Sequence, residues 1–522
     1  MKKHLNIVFA ITLCLVATAS MKALELPSVF SDNMVLQRGE EVRVWGKADP
    51  GETVTVAFAD QEVTSQVDQE GMWEVLLDPM EASFDERTLM VQSGGGRKSF
   101  EKVLVGEVWL ASGQSNMGWT VKQGADSDIL LLGANDPYLR LYKVAYQPSR
   151  EMEFSSRHPW MRDDPRPVQN FSSVAYQFGR DLRMALDVPV GIVSSSVGGT
   201  PSIAWTRSEA IEKSPQLLAI EEEWEDSLAN YDKTMAAWEK EYAEWREAKG
   251  IERRNYEAHK RQGAPRKPEG PDSPRRPASL ANGMISPIAG FTVRGAIWYQ
   301  GEADANANPE TYDERLSVMI EDWREWWNDS DMPFGIVQLP SFMKAQDRPA
   351  GSKWSEVRES QRKVALADPN TGLAVTIDLG EANDIHPPEK MVVARRLARW
   401  ALADVYGLID LRGGPEIVTA VEEGSTILLT FEETGSGLHV WDAENLTGFT
   451  ASDSMVEPEV WWQTNFYGVD AEIVSKNQVR LKVPQGKNPI RVRYAWQSNP
   501  VDASLSNKER LPAGPFEISL ID

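Results

Sequence analysis

The sequence predicts an α/β protein: a parallel-sheet domain with a β-sandwich domain at each end and a helical insertion. Short alternating strands broken by turns run from Leu24 to about Leu104. Apolar strands then interleave with helix-like stretches from about Val105, and strands without helices return after about Leu408.

Met1-Lys2-Lys3 and the apolar stretch from Leu5 to Ala17 have the layout of a secretory signal, with small residues at Ala17, Ala19, Ser20 and Ala23. Residues 1–23 are therefore expected to be a signal peptide, and the protein to be secreted or periplasmic. The apolar stretch is too short to span a membrane, and no later segment is long enough either. In residues 24–104, Val42–Gly46, Thr53–Phe58 and Trp73–Leu77 alternate between turns, the pattern of a small β-sandwich. Residues 105–408 carry apolar strands at Val188–Val193, Gly295–Tyr299, Phe334–Leu339 and Leu373–Ile377. Helix-like stretches such as Ser173–Leu186 and Thr311–Trp327 fall between them. Residues 409–522 return to strands, Ile427–Phe431, Val479–Val483 and Ile490–Tyr494, and read as a second β-sandwich.

An insertion and linker occupy about 209–280. Trp224, Tyr231, Trp238 and Trp245 recur every seven residues there, with Leu228, Met235 and Tyr242 four after the first three, a heptad-like seam on an acidic helix. The stripe packs on the main domain or on a partner helix, or else offers an aromatic platform to sugar rings. The Pro-rich, charged run from Gly263 to Pro277 follows as linker.

A length of 522 residues suits two to four domains, and 41% hydrophobic with 25% charged residues is a soluble globular composition. The net charge of −23 disfavours nucleic acid and anionic membranes as partners. The single cysteine, Cys14, lies in the leader, so disulfides and thiol catalysis are excluded from the remainder. Five histidines and no further cysteine leave no zinc cluster, and neither metal nor other cofactor is expected.

The chemistry centres on Ser112-Gly113-Gln114-Ser115-Asn116-Met117-Gly118, which follows an apolar strand. A strand ending in a small-residue elbow exposes a serine hydroxyl at the carboxyl edge of a sheet, so Ser115 is the candidate nucleophile. Of the histidines, His386 has an acid two residues upstream, and Asp384 can fold back to fix its tautomer as general base. Trp119, Trp205 and Trp298 are candidates for sugar stacking or for wall and core.

Together these blocks resemble the sialate O-acetylesterase-like family of carbohydrate acetylesterases, within the SGNH hydrolases. Leu26 to Gln37 is similar to that family's opening, and Gly106 to Met117 to its nucleophile block. Gly198-Gly199-Thr200 with Trp205, Trp298 to Glu302, Asp384 to Pro387, Val492 to Trp496 and Leu511 to Phe516 resemble the rest in order. The resemblance implies a three-layer α/β/α domain and a secreted serine esterase that removes O-acetyl groups from sugars, sialic acid or xylan-type glycans, through an acetyl-enzyme. It implies Ser115, His386 and Asp384 as catalytic, with the backbone N–H of Ser115 and Gly199 and the Gln300 side chain as oxyanion donors. Glu302 is a supporting acid or an alternative triad acid, and Arg358, with Gln361 on the same helix, resembles a motif near the site. Ser286 and Ser504 to Asn507 depart from the family pattern, as does the long charged insertion. The competing reading is a non-catalytic carbohydrate-binding protein built on the β-sandwiches.

Overall fold

The computed structural model describes residues 23–521, apart from 252–254, 261, 308, 348, 350 and 457–463. The expected signal segment lies, but for Ala23, outside the described residues. The central element is β1 (Gly96–Gly113), an eighteen-residue strand whose second half is buried throughout. Six more strands extend its sheet: β2 (Leu139–Lys143), β3 (Met161–Arg162), β4 (Val190–Ser196), β5 (Gly295–Tyr299), β6 (Phe334–Val337) and β7 (Thr371–Ala374). The order is β7-β6-β5-β1-β4-β2-β3. All pairings are parallel except β3 on β2.

Strands buried on both faces need apolar side chains in both directions, and these have them. Leu110, Ala296, Trp298 and Ile336 face a cluster shared with helices α2 (Tyr312–Trp327) and α3 (Lys353–Ala367). Trp109, Ala111, Ile192, Ile297, Tyr299 and Val337 face the other way, onto α1 (Ser173–Leu186) and α4 (Lys390–Trp400). Ser172 caps α1 and Ser352 caps α3, each hydroxyl accepting the amide three residues on.

The first half of β1 pairs with Ser83–Ser93, which continues to Thr53–Phe58 and Gln61–Gln66. Val42–Lys47 and Met72–Leu77 form a separate pair, and both groups join the apolar cluster on the α2 side. The expected boundary at 104/105 thus falls inside one continuous strand. At the other end, two four-stranded antiparallel sheets enclose an apolar cluster that includes Leu429, Leu481, Val492 and Phe516.

Two sequence expectations change. The strand expected to run from Leu373 through Ile377 stops at Ala374. Beyond it, side chains take over from the ladder: Thr376 Oγ1 donates to the Gln338 carbonyl, and Ser341 Oγ donates to that of Ile377. The acidic insertion is not one helix with a seam. Pro215–Ala229 and Tyr231–Ala248 break at Asn230, whose amide donates to the Asp226 carbonyl. Trp238 and Tyr242 are packed against the returning chain, which forms the short helix Tyr256–Lys260 and the segment after it. Tyr256 stands edge-on to both rings, His259 bonds the Tyr242 hydroxyl at 2.6 Å, and the Pro265 carbonyl accepts from the Trp238 indole.

Candidate active site

Register brings the site together. Gly113 at the end of β1 lies beside Ser196 of β4 and Tyr299 of β5, so the loops after all three strands leave the same edge of the sheet. The chain must turn sharply there. Gly113 has φ +135°, and a Cβ on it would stand 2.2 Å from the Tyr299 carbonyl oxygen, so only glycine fits. Ser115 follows at the start of a short helical turn, Ser115–Gly118.

His386, on the loop between β7 and α4, meets it: Nε2 lies 2.9 Å from Ser115 Oγ. Trp119 stacks on the imidazole with ring centroids 4.7 Å apart and planes at 13°, and its own indole N–H is satisfied by the Gln123 carbonyl. Its ring is therefore a wall for the histidine. Asp384 Oδ1 accepts the His386 backbone amide at 2.8 Å and stands 3.8 Å from Nδ1. That is ion-pair distance without a hydrogen bond. Burial and the nearby Lys390 hold the imidazole below its ordinary pKa, and Asp384 opposes them.

Glu302 lies elsewhere. It is 3% exposed, and Oε1 accepts the Asn116 side-chain amide while Oε2 has no partner among the described residues. Asn116 also donates to the Ile385 carbonyl at 3.0 Å and accepts from Lys390 Nζ at 2.5 Å. One buried amide thus ties the serine turn to the residue before His386, with a carboxylate and an ammonium on either side. Burial pushes Glu302 up to about 7 and Lys390 down to about 7. Asn116 and Lys390 act through other groups, so they are positioning residues. They were missed in the sequence, where the available signals were only adjacency to Ser115 and a place four residues after His386.

Gly198 touches Ser115: a Cβ on it would be 3.3 Å from that of the serine. Gly199 has φ +73°, and its carbonyl accepts from Arg275. The amides of Ser115 and Gly199 have no acceptor among the described residues.

Four expected site residues lie away from the serine. Gln300 is fully buried and spends its amide N–H groups on the Thr200 carbonyl and Asp304, while its oxygen accepts from Tyr312 at 2.8 Å. It braces the Gly199–Thr200 loop from behind instead of donating to an oxyanion. Trp205 and Trp298 are 0% exposed and pack edge-to-face, with Trp298 continuing onto Trp323. They are core, closed to a sugar. Arg358 is also 0% exposed, its guanidinium bound to the carbonyls of Leu339, Pro340, Gln497 and Ser498. It clamps the C-terminal region to α3 and reaches no open surface. Gln361 is likewise buried, bonded to Leu339, Gln300 and Val337.

Among the described residues no helix is long and apolar enough to cross a membrane, and no cluster of three acidic, histidine or cysteine side chains could hold a metal.

The family model "Carbohydrate esterase, sialic acid-specific acetylesterase" matches residues 278–402, which span the strands and helices from β5 to α4 and include His386. A solved carbohydrate acetylesterase from Xanthomonas citri superimposes with a TM-score of 0.77 at 31% identity, covering 96% of this chain and 100% of its own. Sialate O-acetylesterase of Mus musculus is 28% identical over 98% of this chain and 97% of its own length. That of Homo sapiens is 28% identical over 95% and 92%. These similarities and the fold define a carbohydrate O-acetylesterase. The chain belongs to the family of that Xanthomonas citri carbohydrate acetylesterase.

Proposed function

We propose that the protein cleaves acetyl esters on sugar hydroxyls, of sialic acid or xylan-type glycans, through an acetyl-enzyme on Ser115. The observation that carries this reading is the 2.9 Å contact between His386 Nε2 and Ser115 Oγ at the carboxyl edge of the sheet. Ser115 Oγ attacks the acetyl carbonyl carbon while His386 Nε2 takes its proton. The intermediate collapses, the carbon–oxygen bond to the sugar breaks, and His386 returns the proton to the leaving hydroxyl. Water then attacks the acetyl-serine with the same base, releasing acetate. Asp384 supports the imidazolium. Of the two candidate acids it is the one that faces Nδ1, whereas Glu302 is engaged with Asn116. The unpartnered amides of Ser115 and Gly199 are the oxyanion donors in this reading.

The central sheet with helices on both faces is read as the SGNH three-layer type, with β-sandwich domains at about 24–104 and 409–522. Residues 1–23 are read as a signal peptide directing the protein to the periplasm or outside the cell.

The test is acetate release from p-nitrophenyl acetate and from an O-acetylated sugar. Wild-type protein is expected to turn both over, and Ser115→Ala to lose roughly 10⁴-fold or more. No release from wild-type protein would instead favour the non-catalytic carbohydrate-binding reading.

A further inference from the structure

The imidazole of His386 lacks the bond that usually holds a general base. Nε2 meets Ser115 Oγ at 2.9 Å, but the bond to Asp384 comes from the backbone amide, and Nδ1 has no hydrogen-bond partner among the described residues. In a Ser-His-Asp triad the bond at Nδ1 fixes the orientation and tautomer of the ring. Without it the ring can turn about its Cβ–Cγ bond, and a small turn carries Nε2 away from the serine. What blocks that turn is Trp119, whose indole lies nearly flat on the imidazole, with centroids 4.7 Å apart and planes at 13°.

The indole is itself anchored. Its N–H donates to the Gln123 carbonyl at 2.9 Å, across a turn in which the Thr120 amide donates to the Gln123 side-chain oxygen at 3.1 Å. The Trp119 carbonyl accepts the Ser173 amide at 2.8 Å, at the start of α1. Further along, the Ala125 amide donates to the Pro388 carbonyl at 3.1 Å, which staples this segment to the loop that carries His386. The indole therefore does not follow the imidazole if the imidazole turns. Charge acts in the same sense, because an indole face attracts a cation and so favours the imidazolium formed when Ser115 gives up its proton. Asp384 on the histidine's own loop also favours that charged form, and Lys390 on α4 opposes it.

We infer that Trp119 is a positioning residue of the esterase: its face, in place of a bond at Nδ1, sets the plane of the His386 base and supports its charged form. The role rests on the esterase reading. It assigns Trp119 to the base and not to the sugar, so its effect is the same whichever alcohol carries the acetyl group.

Kinetics of Trp119→Leu and Trp119→Phe on p-nitrophenyl acetate and on an O-acetylated sugar test it, together with histidine NMR. Wild-type turnover of p-nitrophenyl acetate reports the esterase reading alone, and its absence overturns that reading instead. Trp119→Leu is expected to lose roughly 10- to 100-fold in kcat on both substrates with KM unchanged, as a misplaced base gives. Trp119→Phe keeps a flat ring and should recover most of that loss. The chain has five histidines, so the His386 ring protons can be assigned by their absence in His386→Gln. In the wild type they should lie upfield, shifted by the ring current of the indole, and Trp119→Leu should return them to the ordinary position. The wild-type shift needs no variant to fold, and its absence overturns the inference. So does a Trp119→Leu variant that keeps its kcat on both substrates, or a Trp119→Phe variant no better than Trp119→Leu. A Trp119→Leu variant that spares p-nitrophenyl acetate while KM for the sugar rises also overturns it, and makes Trp119 a sugar platform.

Discussion

Replacing Asp384 by Asn changes one charge and little else. Asparagine keeps an oxygen for the His386 amide, now held at 2.8 Å, so the loop retains its turn. What goes is a negative charge 3.8 Å from Nδ1. At about that separation two unit charges interact by about 1 kcal/mol in water and about 4 kcal/mol at an effective dielectric of ~20. The Asp384 side chain is 52% exposed, which keeps the value near the lower end, about 1–1.5 kcal/mol. The imidazolium formed in the transition state loses that support, so kcat is expected to drop about tenfold. Losses of several orders of magnitude belong to buried, hydrogen-bonded triad acids. The sign of the pH effect is also fixed. Asp384 raises the His386 pKa against burial and Lys390, so removing it lowers that pKa further and moves the acid limb of kcat/KM to lower pH. Steady-state kinetics on an acetylated sugar across pH measures both. An unmoved limb with unchanged kcat, beside a collapse in Glu302→Gln, would refute the reasoning and make Glu302 the triad acid.

Lys390→Met removes the cation that holds the His386 pKa down, so the acid limb is expected to move to higher pH, opposite to Asp384→Asn. It also leaves the buried Asn116 Oδ1 without its donor, and denaturant unfolding should show a loss of about 1–3 kcal/mol. Glu302, pushed up to about 7, keeps a proton in the folded chain that the unfolded chain releases in the ordinary carboxylate range. Its stabilisation is therefore complete below that range and lost as pH rises through about 7, and Glu302→Gln should flatten this part of the Tm-against-pH curve. Arg358→Met deprives four buried carbonyls of a donor and should cost about 3–5 kcal/mol in unfolding measurements. KM of the folded protein should stay at the wild-type value; a raised KM would return Arg358 to the binding site.

The sequence made the serine and histidine legible for local reasons. An apolar strand ending in Ser-Gly-Gln-Ser announces an elbow, and few histidines compete for its base. Asp384 does fold back toward His386, but where the sequence suggested a hydrogen bond to the imidazole, the bond goes to the backbone amide and Nδ1 stays 3.8 Å away. What could not be read depends on contacts far apart in the chain. Lys390 and Asn116 are 274 positions apart and meet only because α4 begins where the serine turn ends. Gln300 looked available to an oxyanion until the fold brought Asp304 and the Thr200 carbonyl to its amide. Trp119, Trp205 and Trp298 are alike as letters. Burial separates them, leaving one against the imidazole and two in the core. The insertion's seven-residue spacing suited packing on the main domain or on a partner helix; Asn230 breaks the helix in two, and the chain folds back so that the short helix Tyr256–Lys260 covers part of the aromatic face.

The account rests on Ser115 carrying the acetyl group. Rapid acid quenching of the enzyme during turnover of p-nitrophenyl acetate, followed by peptide mass spectrometry, tests this directly. The expected result is one acetyl group on the peptide containing Ser115 in the wild type and in Asp384→Asn, and none in Ser115→Ala. Turnover with no acetylated Ser115 peptide at any quench time, or with activity retained in Ser115→Ala, would contradict it.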